Sequence, residues 1–325
     1  MEVTAPIMVV KAHSDHISSI QYINSMDRIV SASQDGRVCL LDLATKHCEY
    51  YHGHSKAIHT ACYVTTMDYF ASAGQEREIH LWSPYRQKYI TSLVGHLRCV
   101  KSIVFDETHN YLISMSIDKQ VIVWDPKSYE RLSSVMDVEH LYRPENTFTC
   151  MLWDEERKKM LVTHSRLQAW PTRDGLKEGQ GLVKHNTRSI IQVGLCNDSF
   201  GTVLTIDDAG LVLVWKLDNG MQLSAFPIKR EATEKVSAAV FDNSERRLLV
   251  GTSKGRVWIY NWNSGVRLNE LESDMDSEVT SLLNTMQAAK LTEVARGYTV
   301  ATGWNRFVKS WPSFSLAPIL GINYV

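Results

Sequence analysis

Residues 95–125 read GHLRCVKSIVFDETHNYLISMSIDKQVIVWD. Gly95-His96 opens the stretch. Runs at 100–105, 111–116 and 121–124 are rich in β-branched and aromatic residues, and polar turn residues such as Asp118-Lys119 separate them. Asp125 closes the last run. That composition and spacing predict three short antiparallel strands joined by tight turns.

The pattern recurs. His13 leads to Ser31, Asp35 and Leu41, and His54 leads to Ser72, Glu76 and Trp82, just as His96 leads to Ser114, Asp118 and Trp124. In all three units the acid stands at one distance after its His. The Ser lies four positions before the acid, and the Trp (or Leu41) six after. Spacing held over three units marks an internal repeat, each unit too small to bury a core alone. Weaker copies follow. A fourth has strand-like runs at 148–153, 160–162 and 167–170, with a shortened turn at Ser165-Arg166. A fifth opens at His185 and carries Thr205 in the Ser position, Asp207-Asp208 at the turn and Trp215 at the close. A sixth keeps its strands, but Lys254-Gly255 replaces the acid and Tyr260 the Trp. A seventh closes at Trp311, with Asn305 in the acid position.

The 325 residues are 44% hydrophobic and 22% charged, the composition of a folded soluble protein with a sizeable core. Lys and Arg total 35 against 36 Asp and Glu, so no strong field points to nucleic acid or a membrane surface as partner. Cys39, Cys48, Cys62, Cys99, Cys150 and Cys196 show no C-x-x-C spacing. They read as reduced thiols of an intracellular protein, and a cytoplasmic location is expected. Neither a secretory signal nor a membrane-spanning run is legible. No phosphate-binding glycine motif is present, and no cofactor or small-molecule substrate is expected.

A Ser, a His and an Asp in each unit invite a catalytic-triad reading. An enzyme needs one activated nucleophile, not one per unit, so the recurrence points to a structural device and no catalytic residue is assigned. The 12 histidines raise the question of a metal. Their densest group, His52, His54 and His59, comes without C-x-x-C or H-E-x-x-H, and no metal site is expected.

The Gly-His opening and Trp-Asp close resemble the unit of WD-repeat β-propellers. The likeness runs from Pro6 to Trp311. It implies an all-β fold, a single propeller over 1–325 of seven four-stranded antiparallel blades. Residues 1–12 are expected to supply a closing strand, and 315–325 a tail or an alternative outer strand. It also implies a hydrogen-bonded chain within each blade: His13, Ser31 and Asp35; His54, Ser72, Glu76 and Trp82; His96, Ser114, Asp118 and Trp124; His185, Thr205, Asp208 and Trp215. Leu41 has no indole N–H to contribute. The resemblance places partner binding on a rim made of turn positions Gln34, Gln75, Ile117 and Asp207. First-strand positions His16, Ser18, His59, Lys101, Thr149, Ser237 and Thr280 complete that rim.

Such propellers are non-enzymatic scaffolds that dock peptides or subunits. Gly303-Trp304-Asn305-Arg306, residues 54–58 and 67–74, and Ala169-Trp170-Pro171 resemble the first propeller of large WD-repeat proteins of cilia and flagella. That implies an axonemal or microtubule-associated setting. Members usually carry a second propeller, so this chain is expected to be a fragment, a short form or a single-propeller relative. The alternative is a substrate receptor of a ubiquitin ligase, whose Trp-Asp-x-Arg signature is met only incompletely at Trp124-Asp125-Pro126-Lys127 and Trp170-Pro171-Thr172-Arg173.

Overall fold

A computed structural model describes residues 8–118, 120–136, 150–154, 159–163, 167–171, 191–197, 199–207, 209–228, 234–242, 245–271, 278–285, 298–304 and 307–312. The chain opens with β1 (Met8–Lys11). The first repeat forms β2 (Ile17–Ile23), β3 (Arg28–Ser33), β4 (Arg37–Asp42) and β5 (Cys48–His52). The second forms β6 (Ile58–Val64), β7 (Tyr69–Gly74), β8 (Ile79–Ser83) and β9 (Lys88–Leu93). The third forms β10 (Val100–Asp106), β11 (Tyr111–Ser116), β12 (Gln120–Trp124) and β13 (Arg131–Met136). The fourth contributes β14 (Cys150–Asp154), β15 (Lys159–Thr163) and β16 (Leu167–Pro171). The fifth contributes β17 (Ile191–Asn197), β18 (Thr202–Asp207), β19 (Leu211–Lys216) and β20 (Gln222–Pro227). The sixth gives β21 (Val236–Phe241), β22 (Arg247–Thr252), β23 (Val257–Asn261) and β24 (Val266–Leu271), and the last gives β25 (Val279–Thr285), β26 (Tyr298–Trp304) and β27 (Phe307–Pro312).

The expectation of seven four-stranded blades is corrected here. Among the described residues, five blades are built of four consecutive antiparallel strands: β2–β5, β6–β9, β10–β13, β17–β20 and β21–β24. The sheet β14–β16 has three described strands. The sheet β25–β27 is completed from the far end of the chain, where Met8, Val9, Val10 and Lys11 pair with Ser310, Lys309, Val308 and Phe307. That pairing covers an edge whose backbone groups otherwise face solvent. Around the molecule β2 packs on β6, β6 on β10, β10 on β14, β14 on β17, β17 on β21, β21 on β25, and β25 returns to β2. The sheets stand around an axis as a β-propeller.

Local chemistry makes the blades. Asp27, Asp68, Asn110 and Gly201 each immediately precede the second strand of their sheet, with φ of 53°, 51°, 56° and 59°. Asp, Asn and Gly tolerate that left-handed conformation, so the hairpin turns where the sequence places them. The second and third strands are almost wholly buried, as in β7, β11 and β12. The core lies between neighbouring sheets. Trp82 of β8 joins Val30, Leu40 and Tyr51 of the first repeat, and Trp124 of β12 joins Ala71, Leu81 and Leu93 of the second.

The glycine before each histidine has a packing reason. A Cβ on Gly53 would stand 2.6 Å from Cη2 of Trp82, and one on Gly95 2.9 Å from the same atom of Trp124. Where Leu41 replaces the indole, the residue before His13 is the buried Ala12.

Each described first strand except β14 also carries a break in register near its start, at Ser18, His59, Lys101, Gln192, Ser237 and Thr280, and β25 carries a second at Asn284. A bulge adds twist and bends the strand. Sequence reading selected five of these positions for the rim without foreseeing the bulge.

Candidate functional site

The recurring His and Ser meet inside each blade. His54 Nε2 lies 2.7 Å from Ser72 Oγ, its Nδ1 lies 2.6 Å from Glu76 Oε2, and Trp82 Nε1 donates to Ser72 Oγ at 2.8 Å. The chain of bonds is consistent with one tautomer: indole N–H to Ser72, Ser72 O–H to Nε2, Nδ1–H to the carboxylate. In the first repeat His13 spans Ser31 at 2.8 Å and Asp35 at 3.2 Å. Ser31 Oγ also stands 3.3 Å from the Cys39 carbonyl oxygen, and Leu41 offers it no indole N–H.

Burial lowers His54 to about 4, with the nearby His80 adding to the effect, and burial also lowers His13. Burial alone would raise Glu76, but bonds from Ser55 and His54 outweigh it and hold the carboxyl below its usual range. Each pair at neutral pH is therefore a neutral imidazole donating to a carboxylate, not an ion pair. In the fifth repeat Trp215 Nε1 donates to Thr205 Oγ1 at 3.0 Å. His185 and Asp208 lie outside the described residues.

The turn before the third strand and the loop before the first are tied together. Gln34 N–H donates to the His16 carbonyl at 2.9 Å, Gln75 N–H to that of Ala57 at 2.9 Å, and Ile117 N–H to that of Cys99 at 3.0 Å. Gln34, Gln75 and Lys101 are exposed, as is Ile117 at 47%. His59 is half-buried; burial lowers it, and the charge of Lys101, at the bulge of the next sheet, lowers it further.

The WD40 family profile, described as WD domain, G-beta repeat, matches residues 4–42 and 87–125. The chain carries WD40 repeats. The matched segments run one strand ahead of the sheets: 4–42 holds β1 with β2–β4, and 87–125 holds β9 with β10–β12. Each of these WD40 repeats thus begins with the outer strand of the neighbouring sheet, which binds the sheets to one another covalently.

Against the pattern of a WD40 repeat, four expectations change. Asp118 does not meet His96. Its carboxylate accepts from Ser116 Oγ instead, leaving His96 Nδ1 buried without a hydrogen-bond partner among the described residues, although His96 Nε2 keeps Ser114 at 2.7 Å and Trp124 donates to that serine at 2.8 Å. Asp207, expected on the rim, is 4% exposed at the end of β18 and accepts from Leu211 N–H at 2.7 Å. It caps a turn. Ser18 and Ser237, also expected on the rim, spend their hydroxyls between blades. Ser18 Oγ lies 2.6 Å from the Ile58 carbonyl oxygen, and Ser237 donates to that of Val279 at 2.6 Å. His16 stays beside Asp15 at the loop, Thr280 is half-buried at its bulge, and Thr149 lies outside the described residues.

Sequence reading missed residues that the repeats bring together. Leu97, 61% exposed, follows His96 in the loop bonded to Ile117. Buried Thr252 donates to buried Glu234 at 2.7 Å in the sixth repeat, which lacks the usual acid. His80 stacks on His54 with ring centroids 4.0 Å apart and planes 13° apart. One signal was available for His80. Residues paired with the repeat serine or threonine are Cys39, Ile122 and Leu213 in other sheets, so an imidazole stands where an uncharged, mostly apolar side chain is the rule.

Proposed function

We propose that this protein is a non-enzymatic scaffold whose propeller rim docks peptide segments or subunits of other proteins, in an axonemal or microtubule-associated assembly of the cytoplasm or cilium. One observation carries the docking reading: the tie between turn and loop that recurs in the first three repeats presents the exposed side chains of Gln34, Gln75, Ile117, Lys101 and Leu97 on joined backbone. Exposed apolar Ile117 and Leu97 beside a cationic Lys101 offer the mixed anchor chemistry of a peptide-binding surface. The net charge of −1 supports protein partners over nucleic acid or membrane. The axonemal setting rests on the resemblance of the local phrases quoted above.

The test is a double substitution, Lys101→Glu with Ile117→Glu, followed by affinity capture from ciliated cells. The melting temperature stays unchanged, since both side chains are exposed. Recovery of axonemal partners falls at least about tenfold, the loss that removing hot-spot contacts produces. Full recovery of every partner removes the rim from consideration, and a partner set without axonemal proteins removes the setting.

A further inference from the structure

We propose that His54, Glu76 and His80 form a binding site for one divalent cation of the zinc class. Nδ1 of His54, a carboxylate oxygen of Glu76 and a ring nitrogen of His80 all lie within 4.8 Å of one another. Glu76 Oε2 is 2.6 Å from His54 Nδ1 and 3.9 Å from His80 Nε2. A fourth donor is in reach, because Glu78 Oε2 stands 3.9 Å from the same His80 nitrogen. Two imidazoles and one or two carboxylates suit zinc, cobalt or nickel. Calcium and magnesium prefer all-oxygen shells.

The supporting shell is already in place. Ser55 N–H and Oγ–H hold Glu76 Oε1 at 2.8 Å and 2.6 Å, which aims Oε2 at the two rings. Ser72 holds the far nitrogen of His54 at 2.7 Å. Such outer partners fix the orientation of metal ligands. Besides His54, the His80 ring packs against Trp82 and edge-on to Tyr89, at centroid distances of 5.8 Å and 5.5 Å. Among the described residues its Nδ1 is buried without a hydrogen-bond partner, and its counterparts in other repeats are Cys39, Ile122 and Leu213. A residue that breaks a local rule marks a site with another duty, and the nitrogen that His80 turns to both carboxylates is Nε2.

Binding requires a defined rearrangement. An ion at about 2.0–2.2 Å from each donor replaces the proton that His54 shares with Glu76. A ring donates through a lone pair in its own plane, so the stacked imidazoles fan apart, His80 moving toward the half-exposed Glu78. His54 then carries its proton on Nε2 and donates to Ser72 Oγ. Ser72 in turn donates to the strand carbonyl opposite, as Ser31 and Ser114 do to Cys39 and Ile122 at 3.3 Å and 3.4 Å. His80 ligates through Nε2 as the neutral Nδ1–H tautomer, so protons balance without release or uptake.

The test is titration of the full chain with Co²⁺, read by the visible absorption of a four-coordinate nitrogen–oxygen site and by competition with Zn²⁺. The wild-type chain takes up one equivalent at this site. His80→Phe keeps the ring stack, removes the donor, abolishes that absorption and weakens binding by at least about tenfold. If His80→Phe fails to fold, the wild-type chain decides alone: paramagnetic Co²⁺ must broaden the ring resonances of His54 and His80 before those of the other histidines. Absence of the absorption band in wild-type chain, equal affinity in His80→Phe, or first broadening at other histidines overturns the site. None of these readouts depends on the scaffold reading.

Discussion

Asp35 and Asp118 hold the same place in their repeats and do different things. Asp35 accepts from His13, from Ser14 N–H at 3.0 Å and from Ser14 Oγ at 3.2 Å, so one carboxylate ties a loop to a turn. Asp118 folds back onto Ser116. The neighbour two positions earlier explains the difference. Ser33 donates to backbone carbonyls, to that of His16 at 2.8 Å, and Gly74 has no hydroxyl, so Asp35 and Glu76 are left for their histidines. Ser116 Oγ reaches a backbone carbonyl only at 3.3 Å, that of Gln120, and gives its proton to Asp118. Replacing Asp35 with Ala is therefore expected to cost about 1–3 kcal/mol, because it strips the acceptor from a buried ring and a backbone N–H. Replacing Asp118 with Ala is expected to cost less than about 1 kcal/mol, since His96 Nδ1 already lacks that partner. Urea denaturation of the two variants checks the order. A larger loss in Asp118→Ala would show that His96 relies on it in solution. The His–Ser bonds were expected from the resemblance to WD repeats, and the constant repeat spacing marked which residues take part. The acid's choice of partner was not legible in that spacing, because a turn side chain chooses among neighbours by rotamer.

At the scale of the strand and its approach, the Gly-His opening is a steric requirement set by the third strand of the same sheet. Gly53 admits the Trp82 indole, and Gly95 admits that of Trp124. Gly53→Ala puts a methyl 2.6 Å from the indole edge. The expected penalty is about 1–3 kcal/mol of overpacking, seen as a lower melting temperature with unchanged strand content by circular dichroism. An unchanged melting temperature would mean that the indole moves freely, against its 2% exposure in a closed core. The same scale holds what the repeat pattern concealed. The bulges at Ser18, His59 and Lys101 leave no mark in composition, and each adds twist to its first strand.

Across the whole molecule the buried imidazoles make stability depend on pH. Burial brings His54 and His96 from the ordinary 6.5 to about 4, with Gln120 and Asp118 only partly opposing the shift at His96. Between those values the unfolded chain binds protons that the folded chain refuses, so stability rises with pH through the window and falls as pH drops below about 6.5. Each ring is expected to withdraw on the order of 2 kcal/mol by pH 5, and His13 adds to the same trend. Asp35 and Glu76 work in the opposite range. Their lowered carboxyls contribute fully above the ordinary carboxylate value and lose that contribution only in stronger acid. Chemical denaturation at pH 7.5 and pH 5 measures the difference. A flat profile would mean that the histidines are solvated, contrary to their packing behind Gly53 and Gly95.

The sequence by itself determined the strand rhythm and the repeat, because these depend on short hairpins whose register follows from spacing along the chain, and the resemblance carried by those repeats supplied the His–Ser pairs. Tertiary structure alone decided the rest. It seated β1 against β27, spent Ser18 and Ser237 between sheets, turned Asp118 away from His96 and laid His80 on His54. Each of those outcomes is set by which groups compete for one hydrogen bond or one packing face once distant segments meet, and no interval along the chain records that competition.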